Sequence, residues 1–179
     1  GHEVATVTVY SRQQFVDACG WISSISKEPE LEHVLGENRP RRYDAPLCIH
    51  ISAHGNDEGI AVGKDLILWR QLAKDLSPIC QEMNDYYGKL IFVISACEAG
   101  EQKLTSELQK LDQSRGLLDV PAYLFVTADC TVAWQDAAVA WTVFYHQLPT
   151  AQLDDKSSMQ KILDRIMLSC GVRIKYYRW

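Results

Sequence analysis

Apolar positions along the chain switch repeatedly between a period of two and a period near 3.6, which predicts alternating strands and helices. Residues 4–10 alternate Val and Thr and read as a strand. Ser11-Arg12-Gln13-Gln14 has capping-box spacing and opens a helix whose apolar face is Phe15, Ala18, Cys19 and Ile22. Residues 27–43 are polar, contain Pro29, Pro40 and three Arg, and read as connection or a short helix. Residues 46–53 are nearly all apolar, as in a strand buried on both faces of a parallel sheet. Two short runs, 60–62 and 66–68, flank Gly63-Lys64-Asp65 as a hairpin. Trp69, Leu72 and Leu76 have helical spacing, and Ser77-Pro78 reads as a cap that restarts a helix to about residue 87.

Residues 89–95 and 122–127 are further strands, with a helix marked by Leu104, Leu108 and Leu111 between them. Residues 136–148 are apolar almost all round, which predicts a buried helix. Met159, Ile162, Leu163, Ile166 and Met167 mark a last helix with Gly171 past its end, and 172–177 alternate as an edge strand. The alternation implies an α/β protein with a mainly parallel central sheet flanked by helices. There is no internal repeat and no linker rich in Gly or Ser, so 3–179 read as one domain, with Gly1-His2 as a cloning scar.

Composition narrows the function classes. The chain is 47% hydrophobic and 23% charged, an ordinary globular balance. A net charge of −5 disfavours a general nucleic-acid binder, which needs a dense basic surface. No apolar run reaches membrane-spanning length and no signal peptide is legible, so no membrane partner is expected. Six Cys occur without CxxC or zinc-like clustering; Cys48, Cys80 and Cys130 lie in apolar surroundings and read as buried thiols of a cytoplasmic protein.

In an open α/β sheet, sites form beyond the carboxyl ends of the strands. One such end delivers His54-Gly55 and another delivers Cys97, 43 residues later. Neighbouring parallel strands bring these ends side by side. Cys97 is then a candidate nucleophile and His54 its proton carrier. Gly55 has no side chain to block its N–H, which with the Cys97 N–H would form an oxyanion hole. Singly, each has an ordinary alternative: a buried thiol, a polar rim histidine, and, with Gly59 and Gly63, turn glycines.

Three segments resemble one family. Ile49-His50-Ile51-Ser52-Ala53-His54-Gly55 with Glu58-Gly59-Ile60, then Val93-Ile94-Ser95-Ala96-Cys97-Glu98-Ala99-Gly100, are similar to clan CD cysteine peptidases, most of all to CHAT-type caspase-like domains allied to caspases and separase. Trp134-Gln135-Asp136 opening a helix that ends near Phe144-Tyr145-His146-Gln147-Leu148 is the third. The resemblance spans 46–100 and 122–148; Ser95 stands where many CHAT domains carry Asn, and the N-terminal third matches nothing.

The resemblance implies a caspase-like three-layer sandwich and a cysteine endopeptidase with a Cys97–His54 dyad, needing no cofactor and no metal. Its partners would be a protein substrate and a regulatory protein, as in a bacterial defence or cell-death effector. Asp136 matches an acidic position that in separase-like relatives lies in the pocket for Arg or Lys; it is equally placed to cap a helix. Asp57 and Glu58 would add negative field at the cleft, or simply decorate a turn. Two other classes stay open: a catalytically silent caspase-like interaction domain, and an α/β ligand-binding or hydrolase domain in which Cys97 is incidental. No glycine-rich phosphate loop supports a nucleotide binder. Residues near 101–120 and 148–158 are polar and poorly periodic, hence candidates for controlled ordering.

Overall fold

The computed structural model describes residues 4–24, 47–82, 90–99, 103–115, 120–128 and 131–179. Along the chain run α1 (Arg12–Ser24), β1 (Leu47–Ser52), β2 (His54–Gly55), β3 (Gly59–Val62), β4 (Asp65–Leu68), α2 (Trp69–Glu82) and β5 (Leu90–Ser95). Then follow α3 (Lys103–Arg115), β6 (Tyr123–Thr127), α4 (Trp134–Gln147), α5 (Lys156–Cys170) and β7 (Ile174–Arg178). A four-stranded sheet has the order β1-β5-β6-β7. β1 and β6 run parallel to β5, and β7 closes the far edge antiparallel to β6. β2, β3 and β4 form a separate antiparallel sheet. The fold is thus mixed α/β with a mostly parallel sheet.

Side-chain alternation along the strands divides the core. Leu90, Phe92, Ile94, Leu124 and Val126 face Phe15, Leu72, Leu76, Ile79, Leu104 and Leu108 of α1, α2 and α3. Ile91, Val93, Tyr123 and Phe125 face Ala140, Trp141, Phe144, Ile162 and Ile166 of α4 and α5. Phe92, Phe125 and Phe144 are fully buried, each stabilising by about 1.5–3 kcal/mol on area grounds.

The helix ends follow local chemistry. Ser11 Oγ accepts the Gln14 N–H at 3.3 Å, while Gln14 Oε1 accepts the Tyr10 N–H at 2.7 Å, one residue outside the expected box. The Arg12 guanidinium clasps Asp75 of α2 through two hydrogen bonds of 2.9 and 3.0 Å. Asp155 caps α5 by accepting from Ser157 N and Ser158 N, and Gly171 ends it with φ 74°.

Several expectations need correction. Residues 4–9 form no strand: Val4 and Val7 are exposed and no described strand pairs with them, because alternation without a hydrogen-bonding partner is insufficient. Helix α2 does not restart at Ser77; it is continuous through Pro78. Proline costs a helix interior about 3 kcal/mol, and burial of Leu72, Leu76, Ile79 and Cys80 on the same helix offsets it. β1 is only partly buried, as the edge strand of the described sheet. Helix α4 starts at Trp134 and buries one face, leaving Val139 exposed. Cys48 is half-buried. Within the polar stretches, residues 103–115 are helical and 148–150 form a 3-10 turn ahead of α5. The readings for 27–43, for a helix reaching 87, for Gly100 and for Cys130 fall outside the described residues.

Candidate functional site

β1 and β5 pair in a register that sets Ser52 opposite Ser95. The Ala53 N–H continues the ladder to the Ser95 carbonyl at 3.1 Å. Two residues past the register pair, one strand delivers His54 and the other Cys97. The chain after β5 turns sharply. Ala99 N–H donates to the Ala96 carbonyl at 3.4 Å, and Glu98 has φ 60°, a left-handed conformation that costs a side-chain-bearing residue about 1–2 kcal/mol. The Thr127 hydroxyl, at the end of β6, donates to the same Ala96 carbonyl at 2.5 Å. Cys97 therefore stands at the first corner of a strained turn anchored by the neighbouring strand. Backbone strain of this kind collects at functional sites.

Gly55 lies directly on that turn. A Cβ there would meet the Cys97 carbonyl oxygen at 2.4 Å, the Ala96 Cβ at 3.0 Å and the Cys97 nitrogen at 3.2 Å. Only glycine permits the two backbones to touch. Its pairing also matters: Asn56 N–H bonds the Gly59 carbonyl at 2.9 Å, so the alternating antiparallel pattern makes Gly55 and Ile60 a non-hydrogen-bonded pair. The Gly55 N–H stays outside the β2–β3 ladder, as an oxyanion donor requires.

The loop after Gly55 is rigidly built. Asn56 Oδ1 accepts from Glu58 N and Gly59 N at 2.9 and 3.0 Å. The Asp57 carbonyl accepts from Trp69 Nε1 at 3.2 Å and from Lys103 Nζ at 2.6 Å. Lys103 thereby ties the helix that follows Cys97 to the loop that follows His54. Asp57 and Glu58 border an open cleft together with Arg70, Lys103 and Glu107. The lining is of mixed sign, so these two carboxylates do not make that cleft uniformly acidic.

On the other side, α4 lies across β1 with its N-terminus at the strands' carboxyl ends. Trp141 packs edge-on against His50 at 5.3 Å between centroids, and Trp134 packs edge-on against His54 at 5.3 Å. Asp136 is half-buried in the first turn of α4. It is not the N-cap: Ala133 holds that position in extended conformation, without a side-chain cap bond. A carboxylate at the third helical position still meets the positive end of the helix dipole. Asp136 and Ala140 share a stripe of the helix, and Ala140 packs onto the sheet.

Elsewhere the sequence offered no hint of a polar cluster under α4. Tyr145 Oη bonds His50 Nδ1 at 2.9 Å and lies 3.7 Å from Cys48 Sγ, and Trp141 Nε1 donates to Ser95 Oγ at 2.7 Å. His50 is an exposed residue of β1 whose ring packs against Trp141 and Tyr145, and the loss of water on that side lowers its imidazole to about 4, so it is neutral near pH 7. Burial pushes the Cys48 and Cys19 thiols up to about 11 and 12. These thiols stay protonated and unreactive, whereas Cys97 is partly exposed on its turn. His146 is exposed on α4, on the helix expected to be buried.

Among the described residues no cluster of three or more His, Cys, Asp or Glu could hold a metal ion, and no helix is long and apolar enough to cross a membrane. The fold and these contacts define a mixed α/β domain that places a thiol and an imidazole at adjoining strand ends. Comparisons with protein-family models, with curated proteins and with solved structures found no match.

Proposed function

We propose that the chain is a CHAT-type caspase-like cysteine endopeptidase of the cytoplasm. The observation that carries this reading is the Ser52–Ser95 register with Gly55 seated on the Cys97 peptide, which brings the His54 and Cys97 backbones to one edge. His54 takes the Cys97 thiol proton, and the resulting thiolate attacks the scissile carbonyl carbon, forming a C–S bond as the carbonyl oxygen becomes an oxyanion. The Gly55 and Cys97 N–H groups receive that charge. His54 gives its proton to the leaving nitrogen as the C–N bond breaks. It then takes a proton from water, the hydroxide breaks the thioester C–S bond to release the carboxylic acid, and His54 returns its proton to the Cys97 sulfur. Asp136 is the counter-ion for Arg or Lys before the cut. The substrate is a protein, under control of a regulatory partner. None of these steps calls for a metal or organic cofactor.

A fluorogenic peptide library tests the reading, with Cys97→Ala as control. Cleavage by the wild-type protein and none by the folded Cys97→Ala variant is expected. His54→Ala should lose about 100- to 10,000-fold, the range of general acid–base help. Failure of a thiol-reactive peptide electrophile to label Cys97, together with no cleavage, would favour the silent interaction domain instead.

A further inference from the structure

We infer that Trp134 is the positioning residue for the His54 imidazole, the ring that orients it where other hydrolases use a hydrogen-bonded third side chain. The inference rests on the peptidase reading above. His54 is an exposed side chain on a strand of only two residues. Among the described residues its imidazole makes no hydrogen bond, and its ring neighbour is Trp134, 5.3 Å away with the planes at 86°. Nothing else described fixes rotation of that imidazole about its own axis.

Trp134 belongs to neither of the described core clusters. It is the first residue of α4 and 54% exposed. Trp141, two turns on, is buried and uses its Nε1 to bond Ser95. Both indoles lie on one stripe of the helix, since seven residues return to the same face about 10.5 Å along the axis. The stripe tracks β1 into β2: Trp141 meets His50 and Trp134 meets His54. The buried core that seats Trp141 therefore also fixes where Trp134 stands, and an edge-to-face contact between aromatic rings has a preferred angle that an aliphatic side chain lacks. Asp136 lies about 200° round the helix from Trp134, off the stripe that carries the indole.

The test uses the full chain with Trp134→Ala, Trp134→Leu and Trp134→Phe. For Trp134→Ala, kcat on the best library peptide should fall roughly 10- to 100-fold, because a misplacement of about 1 Å costs up to 10²-fold. KM should stay within about twofold, since the thiol and the oxyanion donors are untouched. Trp134→Phe should recover most of kcat and Trp134→Leu should not. In the inactive Cys97→Ala background, the His54 ring-proton resonances should lose their indole ring-current shift when Trp134 becomes Ala, while those of His50 stay put. A folded Trp134→Ala with wild-type kcat, or a rescue by Leu equal to that by Phe, overturns the inference. If the wild-type protein cleaves nothing, the peptidase reading fails on its own, and an unmoved His54 resonance then separately overturns the contact.

Discussion

Gly55→Ala is the most discriminating single change. The added Cβ would stand 2.4 Å from the Cys97 carbonyl oxygen, and ordinary contact begins at 3.4 Å. The two backbones must therefore part by about 1 Å. Neither yields easily. Gly55 is held by β3 on one side, and the Cys97 turn is held by the Thr127 bond to the Ala96 carbonyl. Overpacking of this size costs about 1–3 kcal/mol. At about 2–4 °C per kcal/mol for a chain of this length, Tm should fall by roughly 2–12 °C. The rate should suffer more: about 1 Å of displacement between His54, Cys97 and the oxyanion donors costs around 10²-fold, or about 2.7 kcal/mol of transition-state stabilisation. Thermal unfolding and single-turnover peptide cleavage, read well below Tm, separate the two losses. Iodoacetamide labelling of Cys97 reports the same displacement without any substrate. Gly20→Ala is the control, because a Cβ on Gly20 meets nothing within 4 Å and a helix interior favours Ala by about 0.5–1 kcal/mol. Wild-type Tm and wild-type rate in Gly55→Ala would refute the close approach and with it the assembly of the site.

Three further outcomes follow from the same geometry. Asp136→Asn should lower cleavage after Arg and Lys at least 10-fold while costing only about 0.3–1 kcal/mol of stability through the lost dipole contact; a library profile indifferent to substrate charge would leave Asp136 with the helix alone. Glu98→Gly should raise stability by about 1 kcal/mol, seen as a higher Tm, because glycine adopts φ near 60° without strain; a fall in Tm would contradict the strained turn. The His50 imidazole titrates near 4 when folded and near 6.5 when free, so the unfolded chain takes up the proton first. Stability should therefore be full above pH 6.5 and decline toward pH 4, and urea midpoints across that window should flatten in His50→Gln.

Much of this was legible in the residues. The periodicity of 89–95 and 122–127 and the leucines of 104–111 placed strands and a helix correctly, because those segments bury enough apolar surface to obey their local pattern. Gly171, expected past the end of the last helix, ends α5 as a left-handed cap. His54-Gly55 and Ala96-Cys97 were visible as strand-end residues for the same reason. Where a pattern depended on distant partners, it misled. Residues 4–9 alternate yet find no described strand, Pro78 is carried inside a helix by the core beneath it, and Asp136 yields the cap to Ala133. The tertiary structure alone decided that β1 lies beside β5 with Ser52 opposite Ser95, that Gly55 rests on the Cys97 peptide, and that Trp134 stands against His54. Those facts are contacts between residues tens of positions apart, and they are set by sheet register and helix docking, which sum over the whole core and are written in no single stretch of the chain.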